Sequence, residues 1–280
     1  MRFLVIDHST ISNETWWPAL KEAAGGKDVQ LALSVWNLVE IGFATDKVQQ
    51  SKRLNFLTGM QPWWLQERVQ IQKHEVERFL CVKYFRSEPK QFAPVTPYLS
   101  SVDYHFAGHL TRIGLTAQQF VEGTDFGLLK REKAATPAAL RTLQGAESAK
   151  LREVEKQMFD AWIRGLIPDV DPSGRLLKRT EMQELREFCW SNKTEFLKGC
   201  RAVAAEDALS IVRTSNPQRN PTESDGIDLQ HAVVGLAYGA MFATGDGYQG
   251  QCALAAKKGL GDGFAMVCRD PGALLAAVFA

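Results

Sequence analysis

Four acidic residues stand where an α/β protein would want a metal site: Asp7, Glu40, Asp228 and Asp246. Asp7 follows the apolar run Phe3-Leu4-Val5-Ile6 and so closes a buried strand at its carboxyl end, the edge where open α/β sheets bind ligands. Glu40 lies near the start of the helix expected after a second strand. Asp228 opens a helical stretch, where the helix dipole favours an acid. Asp246 sits in Gly245-Asp246-Gly247, just after Met241-Phe242-Ala243-Thr244, and its flanking glycines let the backbone approach a phosphate closely. Three of the four have plainer roles open to them: Asp228 as a helix N-cap, Asp246 as a turn residue and Glu40 as a solvated helix acid. Asp7 is the hardest to explain away, because an acid after a buried run is costly unless it meets a metal or a hydrogen-bonding partner.

The elements that would position these acids come from the two ends of the chain. Phe3 to Ile6 reads as a strand buried on both faces of a parallel sheet. A helical stretch with Trp16, Trp17 and Leu20 follows and closes at Gly25-Gly26; Val29 to Val35 reads as a second strand and Asn37 to Phe43 as a helix start. Near the other end, Leu229, Ala232, Val233, Leu236, Ala237 and Ala240 fall on one helical face, with Gly239 able to end the helix. Ala240 to Ala243 and Phe264 to Cys268 read as further strands.

Residues 61–212 differ in character. Trp63 to Phe85 has helical composition with no internal Gly or Pro, whereas 86–125 is broken by Pro89, Pro94, Pro97, Gly108, Gly114 and Gly123. Leu151, Val154, Met158 and Trp162 recur at helical spacing. From Thr180 to Val212 a second long stretch carries Met182, Leu185, Phe188 and Cys189 on one stripe. The polar segment with Asn216-Pro217, Asn220-Pro221 and Ser224-Asp225-Gly226 then resets the chain. The expectation is an α/β fold whose ends flank a mainly helical middle.

Composition sets the outer bounds. The chain has 280 residues and a net charge of +1, from 33 Lys and Arg against 32 Asp and Glu, which excludes nucleic-acid binding by bulk charge but not a local basic groove. An apolar share of 45% is ample for a sizeable core. Cys81, Cys189, Cys200, Cys252 and Cys268 are scattered, with no C-x-x-C pair, as expected of buried thiols in a reducing compartment. The N-terminal apolar run is too short for a signal peptide, and no run is long enough to span a membrane. The expected protein is soluble and cytoplasmic.

Three segments resemble PIN-domain nucleases. Phe3-Leu4-Val5-Ile6-Asp7-His8-Ser9 looks like that family's opening strand, an acid followed two residues on by a small hydroxyl residue. Ser34-Val35-Trp36-Asn37-Leu38-Val39-Glu40 is similar to its second strand and helix start. Asp228 through Tyr238 to Thr244-Gly245-Asp246-Gly247-Tyr248 resembles its third-acid helix, next strand and Thr-x-Asp-x-aromatic turn. The resemblance covers residues 1–60 and 213–280, and implies a PIN-like core in those two parts around a helical insertion or cap at 61–212. It implies a central parallel sheet flanked by helices, with Asp7, Glu40, Asp228 and Asp246 converging at one edge as catalytic and metal-binding groups. Asp225 is a rival for the third acid, but Asp228 fits better in spacing and place. Oxygen-only ligands would select Mg²⁺ or Mn²⁺, which could activate a water for attack on a phosphodiester. Asp7 and Asp246 would be direct ligands. Glu40 and Asp228 would ligate, hold a metal-bound water or orient the attacking one, with Ser9 and Thr244 as supporting hydroxyls. The implied protein is a hydrolase, a ribonuclease acting on single-stranded or structured RNA, with a homo-oligomer or an inhibitory protein as further partner and no membrane.

Other signals rank lower. His105 and His109 lack a third zinc ligand nearby. His231 could line the active edge or simply pack. Trp16-Trp17 and Trp63-Trp64 could stack on bases but suit a core better, and Lys130-Arg131-Glu132-Lys133 and Lys178-Arg179 could grip a nucleic-acid backbone. Two rival readings stand beside the nuclease. A haloacid-dehalogenase-type phosphatase needs an acid where Ser9 stands. A non-enzymatic α/β scaffold would bind a protein partner with the acids idle.

Overall fold

Strand β1 (Arg2–Ile6) lies in the middle of the sheet, with parallel partners on both sides. Leu4, Val5 and Ile6 are all buried, and each such side chain contributes about 1.5–3 kcal/mol over the exposed state. The computed structural model describes residues 1–26, 28–102, 114–127, 129–131, 134, 137, 156, 159–215 and 219–280. Among these, the other strands are β2 (Val29–Leu33), β3 (Trp63–Leu65), β4 (Val95–Thr96), β5 (Met241–Ala243) and β6 (Met266–Cys268). They form one six-stranded sheet in the order β4-β3-β2-β1-β5-β6, parallel except for β4, which runs antiparallel on the edge beside β3. The chain therefore winds outward from β1 through β2 and β3, then restarts on the other side of β1 with β5 and β6. This reversal is a topological switch point, and it lies at Asp7.

Alternate strand residues separate the two faces. Leu4, Ile6, Leu31, Leu33, Met241 and Ala243 face a core shared with α2 (Trp17–Gly25), α3 (Val35–Phe43), α4 (Lys47–Gly59) and the C-terminal helix Pro271–Phe279. Val5, Ala32, Leu65 and Phe242 face helices Arg201–Thr214, Asp225–Tyr238 and Gly247–Leu260. Small residues let those helices come close: a methyl group at Gly235 would lie 2.4 Å from the Phe242 ring. A third core of Val76, Phe79, Phe159, Ile163, Leu185 and Phe196 sits among α5 (Arg68–Leu80) and helices Arg179–Ser191 and Lys193–Gly199.

Several elements differ from the sequence expectation. Trp63–Leu65 is a strand, not the start of a helix, because Trp63 and Trp64 pair with Ala32 and Leu33 of β2. β3 and β4 are thus two strands within the segment expected as a helical insertion, so the sheet continues past residue 60. Thr180–Val212 is three helices, broken at Asn192 and Cys200. The helix carrying Asp228 begins three residues earlier, at Asp225, so Asp228 lies in its first turn and is not its N-cap. Leu151, Val154, Met158, Glu132, Lys133, His105, His109 and Asn216-Pro217 lie outside the described residues. All five cysteines are free and buried, and among the described residues no helix is long and apolar enough to cross a membrane.

Candidate functional site

The carboxyl end of β1 holds the first acid. Asp7 is 2% exposed and caps the short helix α1 (His8–Ser12). Its Oδ1 accepts from Ser9 Oγ at 2.5 Å and from the Thr10 amide at 3.3 Å; its Oδ2 accepts from Thr244 Oγ1, at the end of β5. Ser9 in turn accepts from the Gly245 amide at 2.7 Å. The two residues expected to support Asp7 thus hold both of its oxygens and tie the first strand to the fifth. A side chain at Gly245 would crowd this junction, its Cβ lying 3.1 Å from Trp16 Nε1 and 3.2 Å from Ser9 Oγ.

Glu40 and Asp228 come from the helices on either side of the β1 edge. Glu40 is on α3, whose start is set by Ser34: the Ser34 amide donates to Asn37 Oδ1, and Asn37 Nδ2 donates to Ile6 O. His231, one turn after Asp228 on helix Asp225–Tyr238, joins Glu40 through Nε2 at 2.9 Å and Ser34 Oγ through Nδ1 at 3.1 Å. Asp228 also lies 4.0 Å from Arg213 Nη2.

Charge is crowded here. Burial pushes the Asp7 carboxyl up to about 6, with repulsion from Glu40 adding to it and Ser9, Thr244 and His231 opposing. Burial and then Glu40 push Asp228 up to about 7, against the pull of Arg213 and His231. Burial disfavours a charged His231, but the hydrogen bond and charge of Glu40, followed by Asp7 and Asp228, outweigh it and raise its pKa. Three acids and one imidazole therefore feel one another directly at the sheet edge.

Asp246 and Asp225 stand apart from that group. Asp246 is exposed, and its Oδ1 accepts from the Gln249 amide at 2.6 Å, capping helix Gly247–Leu260. Its own amide donates to Thr244 Oγ1 at 3.1 Å, which places it one residue outside the Asp7 network. Asp225 is enclosed by Arg219, at 2.6 and 2.7 Å, and Arg213, at 2.9 Å. These arginines hold its carboxyl below the usual range despite burial. Arg219 also stacks on Tyr248, 3.6 Å from the ring centroid. Arg213 and Gln249 carried no signal in sequence as site residues; the Arg213–Asp225 ion pair and the bond from the Gln249 side chain to the Asp228 carbonyl bring them in, while Ser34, noted in sequence for its place before Glu40, enters through His231.

The donor set suits a hard cation: carboxylate oxygens, two of them on acids held above their ordinary pKa by burial and mutual repulsion. No group of three or more His, Cys, Asp or Glu is arranged to hold a metal ion among the described residues, so a four-carboxylate cage is not preformed. Trp16 and Trp64 are core residues, and Trp17 stacks on Phe56 at 4.3 Å. Lys130, Arg131, Lys178 and Arg179 are exposed. Surface clefts of about 330 and 580 Å³ lie elsewhere, around Trp64 and Pro97 and around Lys21 and Lys52.

Comparison with models of protein families, with curated proteins and with solved structures gave no match.

Proposed function

We propose that this chain is a metal-dependent phosphodiester hydrolase that cleaves RNA, using carboxylates at the β1 edge with Mg²⁺ or Mn²⁺. The observation that carries this reading is that Asp7, Glu40 and Asp228, from three separate elements, lie near enough at the sheet's topological switch point for their charges to act on one another. RNA as the substrate and a PIN-like arrangement rest on the resemblance in sequence, and a cytoplasmic location on the scattered cysteines, none in a C-x-x-C pair.

Asp7 and Asp228 would hold the cation, with Asp246 at the mouth of the site. When bound, the cation would lower the pKa of a water and offset charge on the phosphate. Ser9 and Thr244 fix the rotamer of Asp7, so its lone pairs face a constant direction. Arg213 draws Asp228 toward its ionised form. Arg219, held against Tyr248 and Asp225, borders the same helix start as Arg213.

Labelled single-stranded RNA with Mn²⁺ or Mg²⁺ tests this. Cleavage is expected, to be abolished by a chelator and reduced about 100-fold or more in Asp7→Asn and Asp228→Asn. Equal cleavage in the variants, or indifference to the chelator, would overturn it. A second reading draws on the lack of a preformed ion cage: an α/β scaffold whose acids only hold the fold together. Folded protein that binds no Mn²⁺ and cleaves no RNA would favour it.

A further inference from the structure

The adjacent Trp16 and Trp17 take different places in the fold. Trp16 is buried beside Gly245, whereas Trp17 is half-buried and lines a cleft of about 580 Å³ between α2 and α4. Trp17 and Phe56 line it as a stacked pair, their centroids 4.3 Å apart and their planes 8° from parallel. Trp17 Nε1 donates to Ile11 O at 3.0 Å, which fixes the indole before any ligand arrives. Lys52 Nζ lies 5.6 Å from the Trp17 centroid and Lys21 Nζ 6.0 Å from that of Phe56, so the lysine stems flank the rings. Among the described residues, these two lysines are the only ionisable side chains lining the cleft. Lys52 also pairs with Glu14 at 2.6 Å, but both partners are half exposed, and so weak a surface pair yields to a phosphate. Asn55, on the exposed rim, offers a donor and an acceptor to a base edge.

Aromatic rings flanked by cations are the chemistry that holds unstacked bases and their phosphates. We infer that the cleft between α2 and α4 binds a single-stranded nucleic-acid segment, with its bases against the Trp17–Phe56 pair and its phosphates on Lys21 and Lys52. RNA as the strand rests on the reading above, but binding in the cleft needs no cation. Helix α1 begins at Asp7 and holds Trp17 through Ile11, so one end of the cleft is anchored beside the carboxyl edge of β1. The cleft is thus a place to grip a strand next to the acids, not among them.

Fluorescence anisotropy of a labelled oligouridine of about twelve nucleotides, with the full chain in chelator, tests this. Lys21→Gln combined with Lys52→Gln is expected to weaken binding about tenfold or more. It should also flatten the dependence of log affinity on log salt by about 0.7 for each lysine. Lys178→Gln combined with Arg179→Gln, on the helical segment, should stay within about twofold of the wild type. A duplex of the same length, whose bases stay stacked, should bind about tenfold more weakly. All four substituted side chains are exposed, so the variants keep the fold. Unchanged affinity in the Lys21 and Lys52 variant overturns the inference, as does an equal loss in the Lys178 and Arg179 variant. Equal binding of the duplex, or equal competition by polyglutamate, reduces the cleft to bulk charge and also overturns it. So does a wild-type chain that does not bind the oligouridine. Lysine-dependent binding without cleavage in Mn²⁺ removes the hydrolase reading and leaves this one. Cleavage with binding indifferent to both lysines does the reverse.

Discussion

The carboxyl edge of the sheet and the core of the helical segment both bury side chains, but they are filled differently. Around β1 the buried residues include Asp7, Thr10, Ser34, Asn37, His231 and Thr244, and their carboxyls and imidazole have displaced pKa values. In the helical core, Phe79, Phe159 and Phe196 meet edge-to-face at 5.1–5.7 Å, and charges such as Lys156 and Glu187 pair on the surface. A helical core gains from every group it buries. The sheet edge instead holds ionisable groups where burial works against their charge, an arrangement expected of a site and not of a core. Glu75 shows a structural way to bury an acid. It accepts from the Ala202 and Val203 amides at the start of helix Arg201–Thr214 and from Tyr238 Oη at 2.6 Å, so its interactions serve to join elements of the fold.

The contrast is open to experiment. The largest effect on stability is expected from Phe196→Ala, which empties a fully buried aromatic position and should cost about 3–5 kcal/mol in denaturant unfolding. Its effect on Mn²⁺ binding should be negligible; a large one would join the two regions energetically.

The pH dependence should come next, and from the sheet edge. The folded-state pKa of Asp7 is about 6 against 3.8 unfolded, so between those values the folded chain keeps a proton that the unfolded chain has lost. Stability from this group is present at low pH and falls by roughly 3 kcal/mol as pH rises through 6. Asp228, with its pKa raised to about 7, acts in the same direction, as does the raised His231, whose contribution is lost as pH rises through its folded-state pKa. Cation-free protein should therefore unfold at higher denaturant at pH 5 than at pH 8, and Asp7→Asn should flatten that slope. The opposite slope would remove the electrostatic contrast between the regions.

Smaller effects fall in the helical segment. Glu75→Gln should cost about 1–3 kcal/mol, because a neutral amide cannot satisfy the Ala202, Val203 and Tyr238 donors together, and thermal melting would register it. Lys156→Ala should change stability by under about 0.5 kcal/mol, since its ion pair with Glu187 is half exposed.

Much of the sheet could be read from local residue pattern. The apolar run ending at Asp7, the strand after Gly239 and the helix stop at Gly239 are all signals contained within a few residues. Trp63–Leu65 was hidden because three residues cannot show a strand period, and their strand state comes only from pairing with β2. The early start of the Asp225–Tyr238 helix was hidden for another reason: Asp225 is set by two arginines, Arg213 and Arg219, that no local pattern links to it. The acids themselves could be picked out by type and place, and Ser9 and Thr244 by spacing from them. That Asp246 stays exposed and outside the cluster could not, because its capping of the next helix competes with the inward role. Nor could the Glu40–His231 contact, which joins residues 191 positions apart.

That separation has a consequence for the order of assembly during synthesis. One oxygen of Asp7 waits for Thr244, 237 residues later, and Glu40 waits for His231. A nascent chain that has made β1, β2 and α3 already carries two of the acids, with Ser9 and Thr10 beside Asp7, but neither Thr244 nor His231. Closing such distant contacts is slow compared with forming local helices. Translation therefore delays the assembled site until β5 has emerged from the ribosome, and a prematurely terminated chain would lack it.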